Sequence, residues 1–347
     1  MRKITYCEAI NEAIIQEMER DPSVFVYGLG VPDHKRIFCT TKDILEKFGP
    51  NRCFDTPLSE DAMTGFGLGA AINGLKPIHI HIRVDFLLLA MNQLANIVSS
   101  YIYASCGRAK VQFVIRAIIG RGWGQGYQHS KSMQSIFAHI PGLKVVMPTT
   151  PKDAKGLLVS AIRDDNPVLF IEHQWLYLAA DEVPKKPYTI PIGIPCVLRH
   201  GRDMTIVATS WMNVEALKAA WILEKKHGVS IEIIDVRTLS PLEDRAIIES
   251  VNKTGRCIIA DNDWVHCGYS AELAARISEK CFGRLKMPVE RIGFAFTPCP
   301  TAKFLENEFY PNAFNIVRLI EKKMKLKKSD LSDQQCYSHS NRFKGPF

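Results

Sequence analysis

The amino-acid sequence predicts an α/β protein built from two doubly wound domains, and three observations carry that expectation. Short apolar runs alternate with stretches of helical period from residue 24 to residue 172, a proline-rich break follows, and the same alternation then restarts. At 347 residues the chain is about twice a usual domain of roughly 150 residues, enough for two separate cores. Strands that are apolar throughout and separated by helices point to parallel sheets covered on both faces, with ligands gathering at the carboxyl ends of the strands.

The first helix is marked by the capping box Thr5-x-x-Glu8 ahead of Ala9, Ile10, Ala13, Ile14 and Met18, which share one helical face. It is expected to end near Asp21-Pro22. Residues 24–28 then read as a buried strand, and further strands are expected over 78–82, 111–116, 144–147 and 168–172. Helices are expected over 62–72, 86–104, 133–138 and 152–163. Pro184, Pro187, Pro191 and Pro195 mark 179–195 as an extended linker between a first domain over 1–178 and a smaller second domain over 196–325. In the second domain the sequence predicts strands over 204–208, 230–236, 257–260 and 289–292, and helices over 214–225, 241–251, 270–279 and 311–323. Residues 326–347 are polar and aperiodic, so a tail that is disordered or strapped onto the surface is expected.

With 46% hydrophobic and 23% charged residues, the composition excludes collagen-like, coiled-coil and wholly disordered classes. No apolar stretch reaches the roughly 18 residues of a membrane span, and Met1-Arg2-Lys3 runs on into Thr5-Tyr6-Cys7-Glu8 with no apolar signal core. The chain is therefore expected to stay where it is made. Ten widely scattered cysteines, with no C-x-x-C pair and no zinc spacing, favour a reducing cytoplasm. The net charge of +8 is spread thinly except at Lys322, Lys323, Lys325, Lys327 and Lys328. No aromatic residues are interleaved there, so the run reads as a solvated helix end rather than a nucleic-acid or membrane patch.

Two segments stand out chemically. Asp55-Thr-Pro-Leu-Ser-Glu60 feeds the helix that carries Gly65, Gly67 and Gly69, small residues that let a helix approach its neighbour closely. Ser59 and Glu60 form either a simple capped helix start or a start whose carboxylate faces a cleft, and spacing alone leaves both open. The second segment, Gly120-Arg-Gly-Trp-Gly-Gln-Gly126, leads to His129 at a strand-end loop but fits neither a P-loop nor a Rossmann fingerprint. For His129 by itself, a hydrogen-bonded structural histidine is the commoner reading, since an isolated histidine says little. His79 and His81 alternate along a strand, and with no third ligand nearby they read as sheet positions rather than a metal site. No Gly-x-Ser-x-Gly elbow and no His-Glu-x-x-His occur.

Taken in order, Asp55-Thr-Pro-Leu-Ser-Glu60, Gly69-Ala-Ala, Gly74-Leu-x-Pro77, Gln128-His129-Ser130, Pro141-Gly-Leu-Lys-Val-Val146, Asp153-Ala-Lys-Gly156, Ala161-Ile-Arg-Asp-Asp-Asn-Pro167 and Ile190-Pro-Ile-Gly193 resemble a known family. It is the β subunit of the thiamine-diphosphate-dependent 2-oxo acid dehydrogenases of the pyruvate dehydrogenase type. The resemblance runs from about residue 4 to residue 322, and its specificity lies in the ordered series. It implies a pyrimidine-binding thiamine-diphosphate domain followed by a smaller transketolase C-terminal-type domain. It also implies a heterotetramer with an α subunit. In that family Gly-Asp-Gly and a downstream Asn hold the diphosphate and Mg2+ on the α subunit, and this chain has no Gly-Asp-Gly. The resemblance places Glu60 on the glutamate that hydrogen-bonds the aminopyrimidine, Phe86 on the aromatic packed against that ring, Leu58 on an apolar wall, and His129 on the histidine near the reacting carbon. Ala161, Asp164 and Asn166 fall on a loop that binds K+ largely through backbone carbonyls.

The implied activity is decarboxylation of a 2-oxo acid and transfer of the activated acyl group to a lipoyl carrier or another acceptor. Some positions depart from the family pattern. Gly28-Leu29-Gly30-Val31 stands where many relatives carry acidic residues of a passage between paired active sites, so proton communication by that route is not expected here. Arg83, Asp85, Arg121 and Trp123 replace more neutral residues near the cofactor pocket and imply a substrate other than pyruvate. Gly268 to Arg276 keeps the family pattern, whereas 294–303, the region expected to meet a lipoyl carrier, loses it. Two other readings stay open: the small subunit of a split transketolase that transfers a ketol unit, and a scaffold subunit without chemistry.

Overall fold

The computed structural model describes residues 1–34, 36–121 and 124–336; Trp123 and the part of the expected tail over 337–347 lie outside them. The first sheet has seven strands in the order Thr238–Ser240, Lys144–Val146, Val168–His173, Val114–Ile119, Lys76–His81, Val24–Tyr27 and Cys53–Phe54. All neighbours are parallel except the first pair. Alternate residues of one strand serve two cores. Val114 and Ile118 pack with helices Tyr6–Arg20 and Pro151–Arg163, while Ile115, Ala117 and Ile119 pack with Leu87, Leu94 and Phe137. Burial on both faces is why these strands read as unbroken apolar runs.

A second sheet orders Glu290–Phe294, Cys257–Trp264, Met204–Ala208, Ile231–Asp235 and Cys196–Arg199, with only the last pairing antiparallel. Helices Trp211–His227 and Ala313–Lys323 cover one face; Arg245–Thr254 and Tyr269–Lys280 cover the other. The expected capping box is present: the Thr5 hydroxyl accepts from Glu8 N–H at 3.3 Å, and the Glu8 carboxylate accepts from Thr5 N–H at 2.7 Å.

Several elements differ from expectation. The helix expected over 86–104 is a broken run, with Val84–Leu87, a 3-10 turn Leu88–Ala90, a π segment Asn92–Val98 and Tyr101–Ala104, bent by 56°. The bend falls at the break between Ala90 and Asn92; within the second limb Ser99 N–H bonds Leu94 O, five residues back, at 3.1 Å, and its hydroxyl donates to Ala95 O at 3.0 Å, which competes with the α-helical ladder there. The strand expected over 111–116 begins at Val114, because Val111 N–H goes to Asp165 O and Phe113 N–H turns back to Val111 O. The helix expected from 241 begins at Arg245, after the turn leaving Thr238–Ser240. The 179–195 segment carries a strand, Ala180–Val183, antiparallel to an unexpected Arg2–Thr5. Beyond the last long helix the chain is strapped on: Leu331 is buried and Ser329 N–H bonds Glu321 at 2.9 Å. Among the described residues no single helix is long and apolar enough to cross a membrane.

Candidate active site

Four neighbouring parallel strands end at one cleft of about 590 Å³. Leu29 follows Val24–Tyr27; Leu58 and Glu60 follow Cys53–Phe54; Arg83 and Phe86 follow Lys76–His81; Gln125 and His129 follow Val114–Ile119. The structure thus brings Leu58, Glu60, Phe86 and His129 into one cavity, at the strand ends where a doubly wound sheet gathers ligands. Ala161, Asp164 and Asn166 lie elsewhere, at the end of helix Pro151–Arg163. There the Ala161 carbonyl accepts from Asp164 N–H at 3.3 Å, and the Asp164 carboxylate takes Lys144 at 2.6 Å and both Asn166 N–H and its side-chain amide at 2.9 Å.

Glu60 is the first residue of helix Glu60–Ile72 and is half-buried. Ser59 occupies the N-cap position but makes no side-chain cap bond, so the simple capped start is only half realised. The helix lies hard against the sheet at Gly67, where a Cβ would fall 2.2 Å from Tyr27 Oη and 2.4 Å from Phe113 Cζ. Tyr27 Oη donates to Met63 O at 2.9 Å and locks the same turn. The expected close approach does not extend to Gly69, which faces open space. At the mouth, Leu58 is 77% and Phe86 38% exposed, and Phe86 meets the His129 ring edge to face at 5.3 Å.

The cleft floor is neutral. His79 stacks on Tyr27 with ring centroids 4.4 Å apart, and its Nδ1 lies 3.2 Å from His81 Nε2 and 3.5 Å from Thr64 Oγ1. Burial pushes His81 down to about 4, and burial with His81 alongside drives His79 well below its ordinary value. Both rings are therefore uncharged near neutrality. Among the described residues no group of three or more His, Cys, Asp or Glu side chains is placed to hold a metal ion.

Arg83 and Asp85, flagged in the sequence as departures, are both buried. Asp85 pairs with Lys131 at 3.2 Å, and burial raises its carboxyl despite that partner. Arg83 instead donates to three neutral oxygens: Gly120 O at 2.8 Å, Gln174 Oε1 at 2.8 Å and Gln125 Oε1 at 2.7 Å. Only glycine fits at 120, where φ is +85° and a Cβ would lie 2.5 Å from the His173 ring.

The second domain braces the loop that carries His129. Tyr310 Oη donates to Ser130 O at 2.9 Å, Gln134 Nε2 donates to Asp261 at 2.8 Å, and Ser135 Oγ donates to Asp263 at 2.8 Å. Arg121 pairs with Glu306 at 2.6 Å. Burial, with Asp261 close by, lifts Asp263 to about 7; burial also lifts Glu306 to about 7 against the pull of Arg121. Sequence reasoning missed these supports and also missed Phe38, which enters the cleft from a run of left-handed residues over 36–39. The positive φ values there leave no periodic signal. The participation of Gln125 was readable only as membership of the glycine-rich loop.

Comparison with known proteins agrees with this architecture. Residues 2–178 match the transketolase pyrimidine binding domain, and residues 196–316 match the transketolase C-terminal domain. The chain is 41% identical over 334 residues to the β subunit of acetoin:2,6-dichlorophenolindophenol oxidoreductase from Cupriavidus necator, covering 93% of this chain and 98% of that protein. It is 41% identical over 314 residues to the 2-oxoisovalerate dehydrogenase β subunit of Bacillus subtilis, covering 90% and 96%. It is also 37% identical over 320 residues to the pyruvate dehydrogenase E1 β subunit of Rickettsia felis, covering 92% and 98%. A solved split-gene transketolase, described as an inactive β4 tetramer, shares the fold with a TM-score of 0.73 at 22% identity, over 94% of this chain and 99% of that one. The chain belongs to the family of thiamine-diphosphate-dependent 2-oxo acid dehydrogenase β subunits.

Proposed function

We propose that the chain is the β subunit of a heteromeric enzyme that decarboxylates a 2-oxo acid and passes on the activated acyl group. The observation that carries this reading is the cleft itself, lined by a carboxylate at the start of a helix locked to the sheet, by two exposed apolar side chains, Leu58 and Phe86, and by a histidine in ring contact with Phe86. These residues fit the pyrimidine end of thiamine diphosphate, while the described residues offer no carboxylate cluster for a metal-bound diphosphate. When bound, the cofactor supplies the carbon nucleophile and the electron sink that decarboxylation needs. In this reading Glu60 accepts a hydrogen bond from the pyrimidine ring and fixes where its proton sits. Phe86 and Leu58 cover the ring and exclude water. His129 orients the substrate's polar atoms, and the second domain holds it in place through Tyr310.

An α subunit in a heterotetramer holds the diphosphate and Mg2+; K+ sits at the carbonyls of Ala161, Asp164 and Asn166; a lipoyl carrier or another acceptor takes the acyl group in the cytoplasm. Residues 1–178 form the pyrimidine-binding unit and 196–325 the second domain, joined by 179–195 and followed by the 326–347 tail. Overall similarity does not choose the substrate, since relatives of equal identity are named for acetoin and for 2-oxoisovalerate. Ketol transfer rests on a likeness of fold alone. Co-expression with an α-type subunit bearing Gly-Asp-Gly, followed by a panel of 2-oxo acids and sugar phosphates, tests the reading. Cofactor-dependent CO2 release by the complex is expected, and ketol transfer without CO2 would overturn it.

A further inference from the structure

We infer that Arg83 is the receptor for a second, non-reacting anionic group on the substrate, so that the enzyme takes a 2-oxo acid carrying a further carboxylate or phosphate. The inference rests on the decarboxylase reading above and names its substrate class. Arg83 is 3% exposed yet lines the cleft. Burying a guanidinium is costly unless an anion compensates it, and a guanidinium keeps its charge at any physiological pH. Its three hydrogen-bond partners are a backbone carbonyl and two side-chain amides, all neutral. Of the nearby carboxylates, Asp85 pairs with Lys131, Glu172 with Arg116 and Glu306 with Arg121, and Glu60 lines the same cleft; among the described residues Arg83 forms no ion pair with any of them.

Its Nε–H makes no hydrogen bond among the described residues. That N–H and Nη2 share the side-on edge of the guanidinium, a fork matched to carboxylate and phosphate oxygens. Gln125, which takes Nη2, begins the 3-10 turn Gly126–Gln128, and His129 ends it. One turn of backbone therefore ties the buried charge to the histidine of the site. The neutral His79 and His81 and the apolar mouth add no counter-charge to it; Asp85 acts on it through space, and the Phe38 ring lies 5.9 Å from its guanidinium carbon.

The reacting carboxylate is the wrong partner for it. That group loses its charge as CO2 departs, so a cation on it would stabilise the bound substrate more than the transition state and slow the reaction. A distal anion keeps its charge throughout and is held equally in both. Recognition of such a group raises affinity and sets specificity without opposing the chemistry.

The test uses the assembled, cofactor-loaded complex with wild type, Arg83→Gln and Arg83→Lys. Kinetic parameters are measured for pyruvate, 2-oxoglutarate and 3-phosphohydroxypyruvate, the last two separating a carboxylate from a phosphate. Wild type is expected to prefer one of these two polyanions over pyruvate by about 100-fold or more in kcat/KM. Arg83→Gln collapses that ratio through KM, and Arg83→Lys restores part of it. A wild-type preference for pyruvate, or an equal fall on all three substrates, overturns the inference. Calorimetric titration with glutarate and with inorganic phosphate gives a second readout that needs no turnover. If no 2-oxo acid is decarboxylated, the decarboxylase reading fails; loss of anion binding in Arg83→Gln still supports the receptor, and equal binding refutes it.

Discussion

The position of Glu60 depends on how closely its helix lies on the sheet, and Gly67→Ala tests that directly. The added methyl would fall 2.2 Å from Tyr27 Oη and 2.4 Å and 2.8 Å from Phe113 ring atoms. Both rings are 0% exposed, so neither can swing into solvent. Overpacking of this kind costs about 1–3 kcal/mol, and losing the Tyr27–Met63 hydrogen bond adds about 0.5–1.5 kcal/mol. Alanine's better helix propensity returns about 1 kcal/mol. The expected net loss is therefore about 2 kcal/mol. Gly69 is the internal control, in the same helix but with nothing within 4 Å of its Cβ, so Gly69→Ala should gain up to about 1 kcal/mol. Urea unfolding followed by circular dichroism, comparing midpoints at a common slope, reads the difference. Equal stability of the two variants would refute the claim that this helix is seated by close contact at Gly67.

Three further outcomes follow from buried charge and from the site. Arg116 and Glu172 are both 0% exposed and joined at 2.5 Å and 2.8 Å, so Arg116→Met should cost about 3–5 kcal/mol by stranding the carboxylate, and adding Glu172→Gln should recover part of it in thermal melts. Asp235 is fully buried and its carboxyl is raised from 3.8 to about 7 by burial, so its folded pKa lies above its unfolded one. Its contribution to stability is then greatest below about pH 4 and is lost as pH rises through 7. Asp235→Asn should consequently help stability more at pH 8 than at pH 5, and a constant difference across that range would count against the burial effect. Glu60→Gln should leave the fold intact, since the Glu60 side chain makes no hydrogen bond among the described residues, with a loss no larger than the helix-end effect of about 0.3–1 kcal/mol.

The central strands were legible because a strand buried on both faces has to be apolar throughout: Val24–Tyr27, Met204–Ala208 and Val168–His173 fall where the runs lie. Elements at the margins were not. Arg2–Thr5 and Ala180–Val183 form a two-stranded ribbon that is largely exposed, so its residues carry no apolar signal. Lys303–Phe309 lacks a capping side chain. Local sequence announces the start at Glu60 and the loop to His129, but only folding reveals that the two share a cleft, because strands distant in the chain become neighbours in the sheet. Arg83 illustrates a further limit. Its chemistry was visible as an unusual residue, whereas the neutrality of Gly120, Gln125 and Gln174 around it is a tertiary fact.

The most direct measurement is the turnover number of the Glu60→Gln complex on its preferred 2-oxo acid, taken at saturating cofactor with occupancy recorded on the same sample. A fall of about a thousand-fold or more with the cofactor still bound is the predicted result, because the lost group positions a proton rather than packing the chain. Wild-type turnover at full occupancy would contradict the assignment of this cleft as the pyrimidine half of a shared active site.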